Sequence, residues 1–312
     1  MNNDTVAIIC CMGVVAIVGL IGIYKGRRGR SRWLLISLAV LAVAPLAGCD
    51  SGPAAPAASP ALSPTSTGTT TGTGVTTGTG TTMRCVTSTA KGSCGPYRYS
   101  AITTAGQNPG PTVGQNVWNP VPGWSQTLTA TDPGNWYATA NIPAGNTSVV
   151  SFPNTGQNIE WVNGAPPPLS SYKSIYSSFS ENMHGTSSTD AEAAYDIWLN
   201  NWKNEVMIQH DFSALRPRCG TIEATATFGG SGGVPVQSWK LCQFGSELIW
   251  QLVGRNEQSG SVDILAMLTW LARHGYVAQR SGLTALGYGF EICSTGGRPE
   301  TFSVSRFSIT AS

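Results

Sequence analysis

From residue 135 to 254 the chain is cut into short runs that alternate apolar and polar residues, separated by Gly, Pro and Asn. Examples are NWYATANI (135–142), SVVSFPN (148–154), AYDIWLN (194–200), NEVMIQHDF (204–212), TIEATATF (221–228) and SELIWQLVG (246–254). Runs of this length and period are half-buried strands, and strands at this spacing build a sandwich or barrel. A single stretch breaks the pattern. SVDILAMLTWLARHGYV places Ile264, Leu265, Leu268 and Leu271 on one helical stripe, with Ser261 as the expected N-cap and Gly275 as the stop. The predicted architecture is therefore two sheets with one helix packed on them.

What precedes residue 83 cannot join that core. Residues 50–82 are Pro/Ala-rich and then Gly/Thr-rich, with almost no charge and no apolar period, and they read as a flexible tether. Before them, RRGRSR (27–32) leads into the apolar WLLISLAVLAVAPLAG and ends in LAGC (46–49). This resembles a bacterial lipoprotein signal over 27–48, with Cys49 as the lipidated residue. An earlier apolar run, 5–24, is long enough to span a bilayer. The expected division is 1–48 for membrane and targeting segments, 49–82 for the tether and 83–312 for the folded domain. Such a chain would be exported and anchored by lipid or helix to the outer face of the cytoplasmic membrane, or secreted if the anchor is removed.

Charge narrows the partners. Only 11% of the chain is charged, and five basic residues (Lys25, Arg27, Arg28, Arg30 and Arg32) precede Cys49. The remainder carries 13 basic and 15 acidic residues, net −2. No basic patch is left for nucleic acid, and a neutral ligand fits better. His184, His210 and His274 are scattered without metal-ligand spacing, so neither a metal nor another cofactor is expected. Among the cysteines beyond 49, Cys85 and Cys94 can close a short loop. Cys219 and Cys242 flank a hairpin turning at GGSGG, which would leave Cys293 free.

Strand phase singles out the candidate site. In AYDIWLN, Tyr195, Ile197 and Leu199 share one face; Asp196, Trp198 and Asn200 share the other. In NEVMIQHDF, Val206 and Ile208 point one way; Glu205, Met207, Gln209 and Asp211 point the other. Four linking residues predict a hairpin that sets Asp196 roughly opposite Glu205. Adjacent like charges destabilise a sheet unless one keeps its proton. A solvated hairpin face is the plainer reading, but Trp198 and Met207 on that face suggest a partly apolar concavity. A later strand, LGYGFEICSTGG (286–297), puts Glu291 opposite in phase to Phe290 and Ile292. Two placed carboxylates beside aromatic platforms are the equipment for cleaving a glycosidic bond.

These segments together, AYDIWLN before NEVMI and GYGFE before TGG, resemble glycoside hydrolase family 12. VSFPN (150–154) and QNVWN (115–119) resemble further segments of it, and the likeness spans essentially all of 85–312. The resemblance implies a β-jelly roll of two curved antiparallel sheets, with one helix on the convex side and substrate across the concave sheet. It implies a retaining endo-β-1,4-glucanase acting on cellulose, xyloglucan or mixed-linkage β-glucan, with a polysaccharide partner and a monomeric catalytic domain. Glu205 matches the nucleophile, Glu291 the acid/base, and Asp196 the carboxylate that hydrogen-bonds the nucleophile. Asn116 and Trp118 resemble residues lining the sugar cleft; Trp198, Met207 and Gln209 join them as candidate substrate-binding residues. Gln209 stands where the family commonly has Trp, and Ile292–Cys293 where it commonly has an aromatic pair, so substrate preference is where departure is expected. A non-catalytic carbohydrate-binding module on the same scaffold, or a hydrolase of another envelope glycan, remain alternatives.

Overall fold

The structure, a computed structural model, describes residues 84–95, 97, 110–159, 165–183, 185–213 and 219–312. The targeting segments, the tether, Cys49 and His184 lie outside the described residues.

Fifteen strands are described. In chain order they begin with β1 (Cys85–Thr87), β2 (Ser93–Cys94), β3 (Thr112–Gly114), β4 (Ser125–Asp132) and β5 (Asn135–Asn141). Next come β6 (Asn154–Asn158), β7 (Ile175–Met183), β8 (Thr189–Leu199), β9 (Asn204–Phe212) and β10 (Thr221–Phe228). The last are β11 (Gln237–Phe244), β12 (Glu247–Leu252), β13 (Ser259–Asp263), β14 (Leu283–Thr295) and β15 (Glu300–Ala311), with α1 (Ile264–Arg273) between β13 and β14. They form a six-stranded sheet, β1-β4-β5-β15-β7-β13, facing a nine-stranded sheet, β10-β11-β12-β9-β8-β14-β6-β3-β2. This is the two-sheet sandwich that the alternation predicts, with one amendment. All pairs are antiparallel except β12 with β9. The β10–β11–β12 meander returns beside β9 running in the same direction.

The core lies between the sheets. Val206 and Ile208 are fully buried, as are Tyr195, Ile197 and Leu199, matching the predicted phases. Aromatic rings fill the middle. Tyr288 stacks on Phe307 at 4.7 Å, and Trp136 meets Phe290 edge-on at 5.7 Å. His210 joins them, stacked on Phe179 at 3.9 Å, with its Nδ1 bonded to the Glu257 carbonyl at 2.8 Å. Burial pushes its pKa down to about 4.

SVVSFPN is not a regular strand. It is an extended segment pinned to the β14 edge by Val150 N–H to Ile292 O (2.9 Å) and Ile292 N–H to Ser151 O (3.0 Å). Its Pro153 lacks the donor a central ladder needs.

The helix differs from expectation in its cap and stripe. Ser261 lies in β13, paired with Ser178, so the cap falls to Asp263, whose side chain accepts from Ala266 N–H at 3.0 Å. The buried stripe is Ile264, Met267, Leu268, Leu271 and Ala272, the i, i+3, i+4, i+7, i+8 set; Leu265 is only half-buried. Gly275, at φ 81°, ends it, with Tyr276 N–H closing on Leu271 O. Trp270 meets Trp250 of β12 at 5.1 Å, which places α1 on the inward, convex side of the larger sheet. Asp263→Ala should remove the cap and cost about 1 kcal/mol, read as a melting temperature lower by about 2–4 °C in a domain this size. An unchanged melting temperature would show that the cap contributes nothing.

Both expected disulfides are present, Cys85–Cys94 and Cys219–Cys242. Cys293 is not free but disulfide-bonded. The other described cysteines pair with one another, so its partner lies outside the described residues.

Candidate active site

The face of the larger sheet turned away from the core carries the expected carboxylates. β8 and β9 are joined by the predicted tight hairpin, with Leu199 opposite Asn204. The register is two residues off the expected pairing, which keeps the same face: Trp198, not Asp196, stands opposite Glu205, and Asp196 stands opposite Met207. Asp196 and Glu205 are therefore diagonal neighbours on the same face. Asp196 Oδ2 accepts from Trp198 Nε1 at 3.1 Å, and its Oδ1 has no hydrogen-bond partner. The bond expected between Asp196 and Glu205 is replaced by this indole contact.

The hairpin turn is unusual. Asn200, Asn201 and Trp202 follow one another at φ 55°, 59° and 64°. Left-handed backbone costs roughly 1–2 kcal/mol per non-Gly residue, Asn least. The turn is held by Asn200, whose side chain bonds Asn204 (2.8 Å), Ser281 (3.0 Å) and Gly282 N–H (3.0 Å). Asn201 N–H adds a bond to Thr284 Oγ1 at 2.8 Å. The result sets the Trp202 ring 5.5 Å from Trp198, a tilted aromatic pair beside Glu205.

On the other side of β8, β14 presents Gly287, Gly289 and Glu291 to the same face, opposite Asp196, Ala194 and Glu192. Gly289 permits a close approach, because a Cβ there would lie 2.0 Å from Pro153 O. Val117 bridges to Ser151, which bridges to Ile292 on the core side. Asn116, at φ 43°, and Trp118 flank Val117 and are both exposed.

Three residues expected on Glu205's face have different surroundings. Met207 is 1% exposed and packs against Ala194, Cys242 and Ile249, forming an apolar layer under the cleft. Gln209 is also 1% exposed, and its amide is engaged at both ends: its Oε1 accepts from Gln251 Nε2 at 2.8 Å, and its Nε2 donates to Glu192 Oε1. Asp211 does not share Glu205's face. A bulge lets His210 and Asp211 occupy one step opposite Ala193–Ala194, and Asp211 turns inward toward Glu181 of β7.

Two acids that phase analysis passed over complete the cluster. Glu192 lies two alternation steps before Asp196, on the same face, and pairs directly with Glu291. Extending AYDIWLN backwards by one period finds it. Glu247 comes from β12, whose parallel register (Leu248 beside Val206) carries it alongside Glu205. Only the β12–β9 pairing reveals that one.

The carboxyl groups act on one another. Burial raises Glu205 first, then the charges of Asp196, Glu247 and Glu291. Burial raises Glu291 well above the carboxylate range, then the charge of Glu192 and the hydrogen bond to it, then Asp196. Burial raises Asp196 too, opposed by the Trp198 N–H. Glu291 is thus pushed toward its protonated form, and Asp196 with Glu205 is a pair that cannot readily ionise together. A cavity of about 660 Å³ elsewhere, lined by Met183, Asp211, Arg255 and Asn256, contains none of these groups. Among the described residues no cluster of His, Cys, Asp and Glu could hold a metal ion.

No protein-family model matches the sequence, and no curated protein matches it. Solved structures do match. A family 12 xyloglucanase from Bacillus licheniformis is 21% identical over 73% of this chain and 100% of its own, with a TM-score of 0.57. The xyloglucanase domain of NopAA from Sinorhizobium fredii, in complex with cellobiose, is 23% identical over 73% and 99%, at 0.55. Endoglucanase Cel12A from Rhodothermus marinus is 20% identical over 73% and 99%, at 0.56. At such identities the likeness is one of fold, and the fold is the β-jelly roll sandwich of the family 12 glycoside hydrolases.

Proposed function

We propose that the chain is a retaining, endo-acting glycoside hydrolase of β-1,4-glucans, with Glu205 as nucleophile and Glu291 as acid/base. The observation that carries this reading is two carboxyl groups on one face of the sheet, Glu205 on β9 and Glu291 on β14, with β8 between them. Glu291 pairs with Glu192, and Glu205 lies diagonal to Asp196; burial and the surrounding charges raise Glu205, so the reaction needs the proton of that pair to move to Asp196. Xyloglucanases and an endoglucanase among the similar folds, one of them bound to cellobiose, support a β-glucan substrate.

In the first step the Glu205 carboxylate attacks the anomeric carbon while Glu291 gives its proton to the departing glycosidic oxygen. This leaves a covalent glycosyl-enzyme and an anionic Glu291. In the second, Glu291 takes a proton from water, the hydroxide oxygen bonds to the anomeric carbon, and Glu205 departs as carboxylate. Attack requires the single proton of the Asp196–Glu205 pair to reside on Asp196. Trp198, Trp202 and Trp118 offer ring faces for sugars, and Asn116 a side-chain amide.

The test is the full-length chain in detergent on carboxymethylcellulose, xyloglucan and barley β-glucan, with the anomer of the first product followed by proton NMR. Cleavage giving the β-anomer is expected, and for this mechanism the two carboxyl groups should lie about 5–5.5 Å apart. Release of the α-anomer would exclude double displacement. One observation favours a second reading, a non-catalytic glycan-binding module: Glu205 is pushed upward by burial and then by its acidic neighbours, and would be unreactive if it kept the proton. Binding of these glucans without cleavage would establish it.

The LAGC segment supports a further proposal, that Cys49 carries lipid and tethers the domain outside the cytoplasmic membrane. Cys49→Ala should release from the membrane fraction whatever the 5–24 segment does not retain, and block palmitate incorporation.

A further inference from the structure

We infer that Glu192 is a positioning residue for the acid/base, receiving the hydrogen bond of the protonated Glu291 carboxyl and holding that proton in place. The inference rests on the reading of Glu291 as the acid/base. It starts from cross-strand register: Glu192 of β8 and Glu291 of β14 are direct partners in the ladder, with side chains on the same face. Directly paired like charges are unfavourable unless one is neutral. Both are nearly shut off from water, Glu192 at 1% and Glu291 at 7% exposure. Such a pair is stable with one proton between them, as a carboxyl donating to a carboxylate.

The surroundings decide which partner carries the proton. Gln209 donates to Glu192 Oε1, and Gln251 Nε2 donates to Gln209 Oε1 at 2.8 Å, fixing the orientation of the Gln209 amide. A carboxylate that receives an amide N–H is favoured in its charged form. Among the described residues no amide donates to Glu291; the hydrogen bond that involves it is the one with Glu192. The negative charge therefore rests on Glu192 and the proton on Glu291. This also gives Gln209 its purpose. A Trp in its place would lack the amide oxygen for Gln251 and the paired geometry that clamps Glu192.

Other charged groups face the pair. Asp190 and Asp196 lie on β8, Glu205 on β9 and Glu247 on β12, all acidic. On β11, Lys240 stands opposite Gln251, two strands from Gln209. On the β6 side Asn154 is uncharged. The acids act in the same direction as Glu192 and make loss of the Glu291 proton harder; only Glu192 does so while also fixing it by a hydrogen bond.

The experiment is the pH–rate profile of Glu192→Gln and Glu192→Asp in the full-length chain, beside wild type. Glu192→Gln keeps the shape and removes the charge. Its basic limb should move down by about one pH unit or more, with KM little changed. Glu192→Asp, retaining the charge at greater distance, should fall between. A merely structural role would lower kcat at every pH without moving the limb, and that result overturns the inference. Should either variant fail to fold, carboxyl carbon-13 NMR of wild type decides. Coupled titration of Glu192 and Glu291, with the second step well above the ordinary carboxylate range, is expected; two independent ordinary titrations would sink the idea. The NMR readout does not need turnover. A chain that cleaves no glucan yet shows the coupled titration would refute the hydrolase reading and leave the pair intact.

Discussion

Glu205→Gln should abolish cleavage of β-glucan, lowering kcat by ~10⁴-fold or more while glucan binding persists. The expectation follows from position. Glu205 is half-buried on the cleft face, opposite Trp198 and diagonal to Asp196, above the apolar layer of Met207 and Ile249. No other carboxylate occupies its place, because Asp196 is tied to the Trp198 indole and Glu247 belongs to the neighbouring strand. Glutamine is nearly isosteric and cannot form the glycosyl ester. Glu291→Gln should differ in kind. Loss of a general acid is worth about 10²–10⁴-fold, and only where the leaving group needs a proton, so an activated aryl glycoside should still acylate the enzyme. Azide separates the roles. With Glu205→Ala it should attack the activated substrate directly and give the inverted α-glycosyl azide; with Glu291→Ala it should intercept the glycosyl-enzyme and give the β-azide. Wild-type rates in Glu205→Gln would remove the nucleophile assignment.

The second large effect is on stability and lies across the sandwich from the cleft. Glu181 of β7 points inward at 5% exposure and meets Asp211, which the β9 bulge turns toward it. Burial, then the hydrogen bond to Asp211 and its charge, push Glu181 up to about 10, against a backbone N–H that favours its ionised form. A raised folded-state pKa means stability that is complete below the unfolded value near 4.5 and is lost as pH climbs toward 10. The slope is about 1.4 kcal/mol per pH unit, so some 3 kcal/mol is gone by neutrality. Glu181→Gln keeps the shape and supplies a permanent donor to Asp211. It should raise the melting temperature at pH 7–8 and flatten its decline there. His210 sets the other limb: its lowered pKa gives stability that is present above about 6.5 and lost as pH falls through 4. Unfolding curves across pH 4–9 would show both, and an unchanged alkaline slope in Glu181→Gln would refute the Glu181 account.

Much of this molecule was legible in strand phase. Glu205 and Asp196 share a face because side chains alternate with a period of two, and the four-residue link forces the hairpin. Cys219 and Cys242 pair because they flank that kind of hairpin. The failures have local causes. Alternation puts Asp211 on Glu205's face because it counts residues and cannot see that His210 adds one to the strand. Ser261 reads as a cap because nothing local says that its backbone belongs to a ladder with β7. Cys293 is expected to be free because five cysteines beyond Cys49 leave one over, yet it is disulfide-bonded.

The sequence by itself determined the period of each strand, hence which side of a sheet each candidate faces, since that depends only on backbone geometry. Only the tertiary structure decided which faces meet. Ladder register between β8 and β14 brings Glu192 against Glu291. The parallel β12 brings Glu247 beside Glu205, and the side chain of Gln251 orients Gln209. Those pairings are contacts between residues up to about a hundred positions apart, fixed by how the whole core packs, and no local pattern encodes them.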